Sequence, residues 1–258
     1  MLDKIKSKYI LKNIFRKIKN KRKLNIIKYS KRILHRLYIT KEDYDMYIRL
    51  KELNYKYKTN IEDLDIKELD LSRKCVSNKE LENLVKIKFK DLNKLNLSQN
   101  YISNINSLEN NNFKELNGLY LSQNEISDIN ILEKVNLKKL KELDLSHNRI
   151  SDINILEKVN FKELKKLYLN TNNISNINIL EKVNFKKLNE LNLSFNEISD
   201  INILEKVNFK ELKVINLSLN KISEINVLEK VNFKELNKLD LMFNKISNIN
   251  ILEHVNLK

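Results

Sequence analysis

Cysteine and histidine are the residues of this sequence best suited to nucleophilic catalysis or zinc binding, and they are few. The single cysteine, Cys75, and the three histidines, His35, His147 and His254, lie far apart along the chain. No pair has the close spacing that zinc ligands share, and no histidine near Cys75 suggests its activation as a nucleophile. Because Cys75 lies near the start of a repeat, we expect it to pack in the core. The pattern predicts no catalytic site and no metal site, and it indicates a protein that is not an enzyme.

The scarcity of glycine excludes further kinds of site. Gly118 is the only glycine among 258 residues. Phosphate-binding loops and dinucleotide fingerprints need several glycines within a few residues, for tight turns and close approach of the backbone. We therefore expect no nucleotide site of these types and no cofactor.

The net charge of +15 is concentrated at the N-terminus. Residues 1–36 contain 14 lysines and arginines and one acidic residue, whereas the other 222 residues contain 35 basic and 33 acidic groups. This contrast predicts two regions, a basic module over residues 1–60 and a second domain over residues 61–258. A single cysteine favours a reducing compartment, and no apolar run is long enough for a signal peptide or a membrane span. We expect a cytoplasmic protein, with the nucleus as an alternative.

A 24-residue repeat organises the second domain. A degenerate unit of 26 residues covers residues 66–91, and seven units follow from residue 92. Each unit opens with Leu-x-Leu, whose alternation predicts a short strand with leucines inward, and continues with Ile-x-x-Ile-x-x-Leu, which fits a 3₁₀ or short helical return. A period of this length is typical of a solenoid. The sequence thus predicts an α/β solenoid with a small basic α-helical N-terminal domain.

One asparagine recurs in register in all seven regular units. Its amide can both donate and accept, so we expect it to satisfy backbone groups where the chain turns between strand and return. The predicted asparagine ladder consists of Asn100, Asn124, Asn148, Asn172, Asn196, Asn220 and Asn244.

The motif Leu-x-x-Leu-x-Leu-x-x-Asn-x-Ile-x-x-Ile-x-x-Leu, which recurs from Leu92 to Lys258, resembles the leucine-rich repeat family. The return is similar to that of the short intracellular class, which includes a phosphatase regulatory subunit and internalin-type domains, although this unit is two residues longer. The resemblance implies a curved stack with short parallel strands on its concave side, used to bind other proteins. A phosphatase-regulatory role is an alternative function.

Two outward positions vary most between units, and we expect both on the concave strand side. One lies between the paired leucines and the other directly precedes the ladder asparagine. Drift after duplication or packing under the C-terminal end would also explain apolar residues there, whereas neighbouring apolar groups on consecutive strands indicate an interface. The candidate partner-binding residues are Tyr120, His147, Tyr168, Phe195, Leu219, Met242 and Phe243.

Residues 1–60 are predicted to form short basic helices, because apolar residues recur at helical spacing. The segment resembles an F-box, the motif that docks receptors onto a ubiquitin-ligase adaptor. The resemblance implies adaptor-binding residues Leu11, Ile14, Phe15, Ile18 and Leu24. Since a basic amphipathic helix attracts phosphates, nucleic acid or an anionic membrane is an alternative partner. A solvated cap over the first repeat is the third possibility.

Overall fold

The computed structural model describes residues 41–61, 64–110 and 113–253. It begins with helix α1 (Lys41–Tyr57), strand β1 (Glu68–Asp70) and the short helix α2 (Asn78–Leu84). The remaining strands are β2 (Lys94–Asn96), β3 (Gly118–Tyr120), β4 (Glu142–Asp144), β5 (Lys166–Tyr168), β6 (Glu190–Asn192), β7 (Val214–Asn216) and β8 (Lys238–Asp240). Each of them is followed by a 3₁₀ segment, and these are Asn106–Asn110, Asn130–Glu133, Asn154–Glu157, Asn178–Glu181, Asn202–Glu205, Asn226–Glu229 and Asn250–Glu253.

The eight strands form one parallel sheet in which each strand pairs with its neighbours in sequence. The register advances by one repeat per strand, so that Leu69 lies beside Leu95, and Leu95 beside Leu119. These central leucines are buried, and the residues on either side face outward. The 3₁₀ segments alternate with the strands along the chain and form the side of the curved solenoid opposite the sheet, which is its concave side. The predicted solenoid is confirmed.

Helix α1 covers the N-terminal end of the stack. Leu50, Leu53 and Tyr57 of this helix are buried in the same apolar cluster as Leu69 of β1. The domain boundary predicted at residue 60 stays a prediction. The predicted adaptor-binding residues Leu11, Ile14, Phe15, Ile18 and Leu24 lie outside the described residues.

The column of asparagines ties each coil to the coil before it. Asn172 Nδ2 donates to the Leu145 carbonyl of the preceding repeat at 3.0 Å and to the Leu169 carbonyl of its own repeat at 3.1 Å. Its Oδ1 accepts a hydrogen bond from the Ile150 amide at 2.9 Å. Two donated bonds and one accepted bond of the same kind occur at Asn100, Asn124, Asn148, Asn196, Asn220 and Asn244. Each asparagine thus supplies the partners that buried backbone groups at the turn require.

The residue before each ladder asparagine has a left-handed backbone. Its φ ranges from 52° at His147 to 59° at Phe243. The amide at this position donates to the next repeat, as Phe195 does to the Ser218 carbonyl at 2.9 Å. This conformation costs a non-glycine residue about 1 kcal/mol, and the buried asparagine that follows holds the chain in it.

Replacing Asn172 with leucine is expected to lower the free energy of unfolding by about 1–3 kcal/mol, because buried backbone groups would lose their partner. Urea denaturation followed by circular dichroism measures this change. The matched control is Asn184→Leu, at an exposed loop position, which should change the unfolding free energy by no more than about 0.5 kcal/mol. Equal effects of the two substitutions would contradict the ladder.

Candidate functional site

The outward residues of the strands form the concave face of the sheet. Some of their side chains also hold the backbone of the following turn through hydrogen bonds. Asn192 Oδ1 accepts a hydrogen bond from the Ser194 amide at 3.0 Å, and Asp144 Oδ1 accepts one from the Ser146 amide at 2.9 Å. The same bond to the amide two residues ahead occurs at Asp70, Asn96, Asn216 and Asp240. These short side chains therefore fix the turn after the strand, and only part of their polar surface is free for a partner.

Tyr120 and Tyr168 occupy the same strand position but reach across to the next strand. The Tyr120 hydroxyl donates to Glu142 Oε2 at 2.5 Å, and Glu190 occupies the corresponding position on the strand next to Tyr168. Burial, and then the neighbouring carboxylates Glu142 and Glu190, raises the pKa of both phenols above the ordinary tyrosine value. Both phenols therefore keep their protons to a higher pH than an ordinary tyrosine does.

Gly118 makes room for Tyr120. A methyl group added at Gly118 would lie 2.9 Å from the Tyr120 hydroxyl oxygen and 3.0 Å from its ring carbon Cε2. Sequence reasoning used Gly118 only to exclude nucleotide loops, and it did not identify Glu142 or Glu190 as part of the site. The strand register could have found the first of them, because Glu142 lies directly beside Gly118 on the neighbouring strand.

The second variable position lies at the left-handed turn beyond each strand. Its residues stand three positions after the last strand residue, at the edge of the sheet, and they are Gln99, Gln123, His147, Thr171, Phe195, Leu219 and Phe243. The sequence prediction put this column on the strand side, because alternation alone gives no sign of where the strand ends. His147 is exposed at its turn and does not stand in line with the two tyrosines.

The turn position becomes apolar in the last three repeats. Phe195 is 56% exposed, Leu219 is 43% exposed and Phe243 is 71% exposed, and Met242 beside it is 62% exposed. We call these four residues the apolar turn row. Since neighbouring strands lie about 4.8 Å apart, the row forms a strip about 10 Å long. This exposure does not agree with packing of the rings under the C-terminal end.

Comparison with known families identifies the repeat. A model of two leucine-rich repeat copies matches residues 114–158 and 138–182, and a single-repeat model matches residues 186–201. The repeats of this chain are leucine-rich repeats. No curated protein sequence gives a significant match.

Solved structures with leucine-rich repeats share the fold. An internalin (inlF) from Listeria monocytogenes is 28% identical over 68% of this chain, which spans 48% of the length of that protein, with a TM-score of 0.57. Internalin C2 (inlC2) of the same organism is 25% identical over 80% of this chain and 88% of its own, with a TM-score of 0.62. A leucine-rich repeat protein of Leptospira interrogans is 23% identical, with coverage of 74% and 58% and a TM-score of 0.51. The last likeness concerns the fold alone.

Cys75 lies in the first, degenerate leucine-rich repeat, and it is exposed. The expectation that it packs in the core was wrong. Lys74 takes the place of the ladder asparagine, and its backbone amide donates to Asn100 Oδ1 at 3.1 Å. The next residue then points outward, as Tyr101 does one repeat later, whereas Val76 is the residue that enters the core.

The described ranges of the chain contain no group of three or more histidine, cysteine, aspartate or glutamate residues that could hold a metal ion. Within the same ranges, every helix is too short or too polar to cross a membrane. His35 and His254 lie outside the described residues. The adaptor, nucleic-acid, membrane and cap hypotheses for the N-terminal segment stay predictions.

Cys75 is expected to react with a thiol reagent in the folded protein, because its side chain is accessible and no other cysteine competes. Without denaturant, Ellman's reagent should label Cys75 and release one equivalent of thionitrobenzoate per chain. A thiol that reacts only after unfolding in urea would show that Cys75 is buried after all.

The stability of the protein is expected to fall above pH 10, in part because of Tyr120. The pKa of this tyrosine is raised in the folded state, so the unfolded chain loses the proton first, near pH 10. Its contribution is therefore complete below pH 10 and is lost as the pH rises further. Urea titrations at pH 8 and pH 11 should show a smaller loss of stability for Tyr120→Phe than for the wild type. Equal losses would contradict this role.

Proposed function

We propose that this chain is a non-enzymatic protein-interaction module that binds a partner protein on the concave side of its leucine-rich repeats and on the adjoining row of turns. The observation that carries the proposal is the apolar turn row. Phe195, Leu219 and Phe243 occupy equivalent positions on consecutive repeats, Met242 lies next to Phe243, and all four are exposed. Apolar residues that are exposed singly carry little meaning, but a continuous group marks an interaction site.

The backbone at the row favours a functional explanation. The left-handed turn suits glycine, or asparagine among the larger residues, better than bulky side chains. Phe195, Leu219 and Phe243 nevertheless stand there, with φ between 55° and 59°. Their side chains gain little from the core, since they point to solvent. A partner that buries them would recover a favourable hydrophobic contribution, about 25 cal/mol for each Å² of apolar surface removed from water.

The neighbouring strand face supplies the polar surroundings of such a site. The Tyr120 hydroxyl donates to Glu142, and Lys166 Nζ lies 3.5 Å from Glu190 Oε2. An apolar centre flanked by hydrogen-bonding and charged groups is the usual composition of a protein interface. The leucine-rich repeat fold agrees with this, because solenoids offer extended concave surfaces to their partners.

Replacing Phe195, Leu219 and Phe243 together with serine is expected to reduce partner capture at least about tenfold, because apolar anchors at an interface each contribute more than about 1 kcal/mol. Capture by the full chain from a lysate of its own cells, with quantitative mass spectrometry, measures the change. Circular dichroism melting should show a folded protein, since none of the three side chains lies in the core.

The matched control changes the same turn position in other repeats, as Gln99→Ser, Gln123→Ser and Thr171→Ser. This control should capture the same proteins as the wild type. If the triple substitution at the row leaves capture intact, or if the control abolishes it equally, the proposed site is wrong.

A further inference from the structure

A cavity of about 180 Å³ lies between helix α1 and the first repeat. Its apolar walls come from α1, α2 and the segments that adjoin β1 and α2, with Leu53, Leu71, Val76, Leu84 and Ile87 among the lining residues. It is far along the chain from the apolar turn row, at the opposite end of the stack. An apolar cavity of about 150 Å³ accepts a benzene ring in another protein, so this one has room for a single ring with small substituents.

The residues that α1 contributes follow one face of the helix. Arg49, Glu52, Leu53, Lys56 and Tyr57 are separated by the three- and four-residue steps that place side chains on the same side. From Arg49 to Tyr57 the helix rises about 12 Å. The cavity is therefore bounded by an arginine toward one end and by a tyrosine toward the other.

The Tyr57 hydroxyl is a buried polar group without a partner. The residue is only 7% exposed, and its hydroxyl makes no hydrogen bond within the described part of the chain. Burying a hydroxyl without a partner is unfavourable, and native structures satisfy most such groups with protein, water or ligand. Burial, together with the nearby Glu80 and Cys75, raises the pKa of Tyr57 to about 12, so the hydroxyl keeps its proton and acts as a donor.

Two basic residues, Arg49 and Lys56, and two acidic residues, Glu52 and Glu80, line the cavity. Lys56 Nζ is already paired with Glu80 Oε1 at 2.5 Å. Arg49 is half-buried, and among the residues that the structure describes it has no acidic group within salt-bridge distance. A guanidinium in this position is suited to a carboxylate, which it can bind through two parallel hydrogen bonds.

We propose that this cavity binds a small aromatic carboxylic acid that carries an oxygen substituent opposite its carboxylate. The ring occupies the apolar walls, Arg49 binds the carboxylate, and the Tyr57 hydroxyl donates to the substituent. The basic N-terminal segment of the chain is a poorer occupant, because residues 1–36 contain one acidic residue, Asp3, against 14 basic ones and would bring positive charge to Arg49.

The test uses the full chain and three probes in ligand-observed NMR titrations. The probe 4-hydroxybenzoate has both polar ends, benzoate lacks the hydroxyl, and 4-hydroxybenzyl alcohol lacks the carboxylate. We expect saturable binding of 4-hydroxybenzoate, about tenfold weaker binding of each truncated probe, and competition among the three.

Two conservative variants test which residue binds each end of the ligand. Arg49→Gln should remove the advantage of 4-hydroxybenzoate over the alcohol, and Tyr57→Phe should remove its advantage over benzoate. Tyr57→Phe should also melt at or above the wild-type temperature, because it deletes the unpaired hydroxyl. A merely structural role for Tyr57 would instead lower the melting temperature and weaken all three probes equally.

A further variant separates this site from the proposed partner surface. The triple serine substitution at the apolar turn row should bind 4-hydroxybenzoate as tightly as the wild type does. The absence of saturable binding in the wild type, or binding that neither Arg49→Gln nor Tyr57→Phe changes, would overturn the proposal and would leave the partner-binding function untouched.

Discussion

The hydrogen bonds of the ladder asparagines are the constraint on which the rest of this structure depends. A chain that leaves a strand after three residues and turns inside a narrow coil exposes backbone groups that neither strand nor helix can pair. One buried amide per repeat, such as Asn148 with the Leu121 and Leu145 carbonyls and the Ile126 amide, supplies those partners. Because each asparagine bonds to two successive repeats, it also keeps the coils in a common register, and every other column of side chains follows from that.

The left-handed turn is the consequence with the greatest bearing on function. The asparagine can enter the coil only after the preceding residue has reversed the direction of the chain, so that residue is left pointing to solvent whatever its type. The repeat therefore contains one position whose backbone is fixed and whose side chain is free. In the last three repeats that position holds Phe195, Leu219 and Phe243, and the scaffold presents them as a strip. The buried asparagine and the left-handed turn before it thus both fix the backbone and leave the apolar turn row exposed.

Periodicity made most of this fold predictable, because each position of the repeat occurs seven times in one chain and its preferred residue type can be read from the seven copies. The strands, the returns and the asparagine column could all be identified from that repetition. What could not be predicted belongs to positions that do not repeat. The close approach of Tyr120 to Gly118 involves the only glycine of the sequence, and the cavity at Tyr57 lies where a helix meets the first coil. Cys75, by contrast, could have been placed from the repeat, because it follows the asparagine position, as the exposed Tyr101 does one repeat later. The left-handed φ was also missed, since phenylalanine and leucine give no local sign of it.

The most direct test of the central claim is photo-crosslinking from the apolar turn row in the cells that make this protein. Benzoylphenylalanine placed at residue 195 keeps an exposed aromatic ring at the turn, and the same group at residue 160 occupies an exposed return position on the opposite side. The structure predicts that residue 195 forms a covalent adduct with a discrete partner protein and that residue 160 does not. Equal adducts from both positions, or an adduct from residue 160 alone, would contradict the assignment of the row as the binding surface.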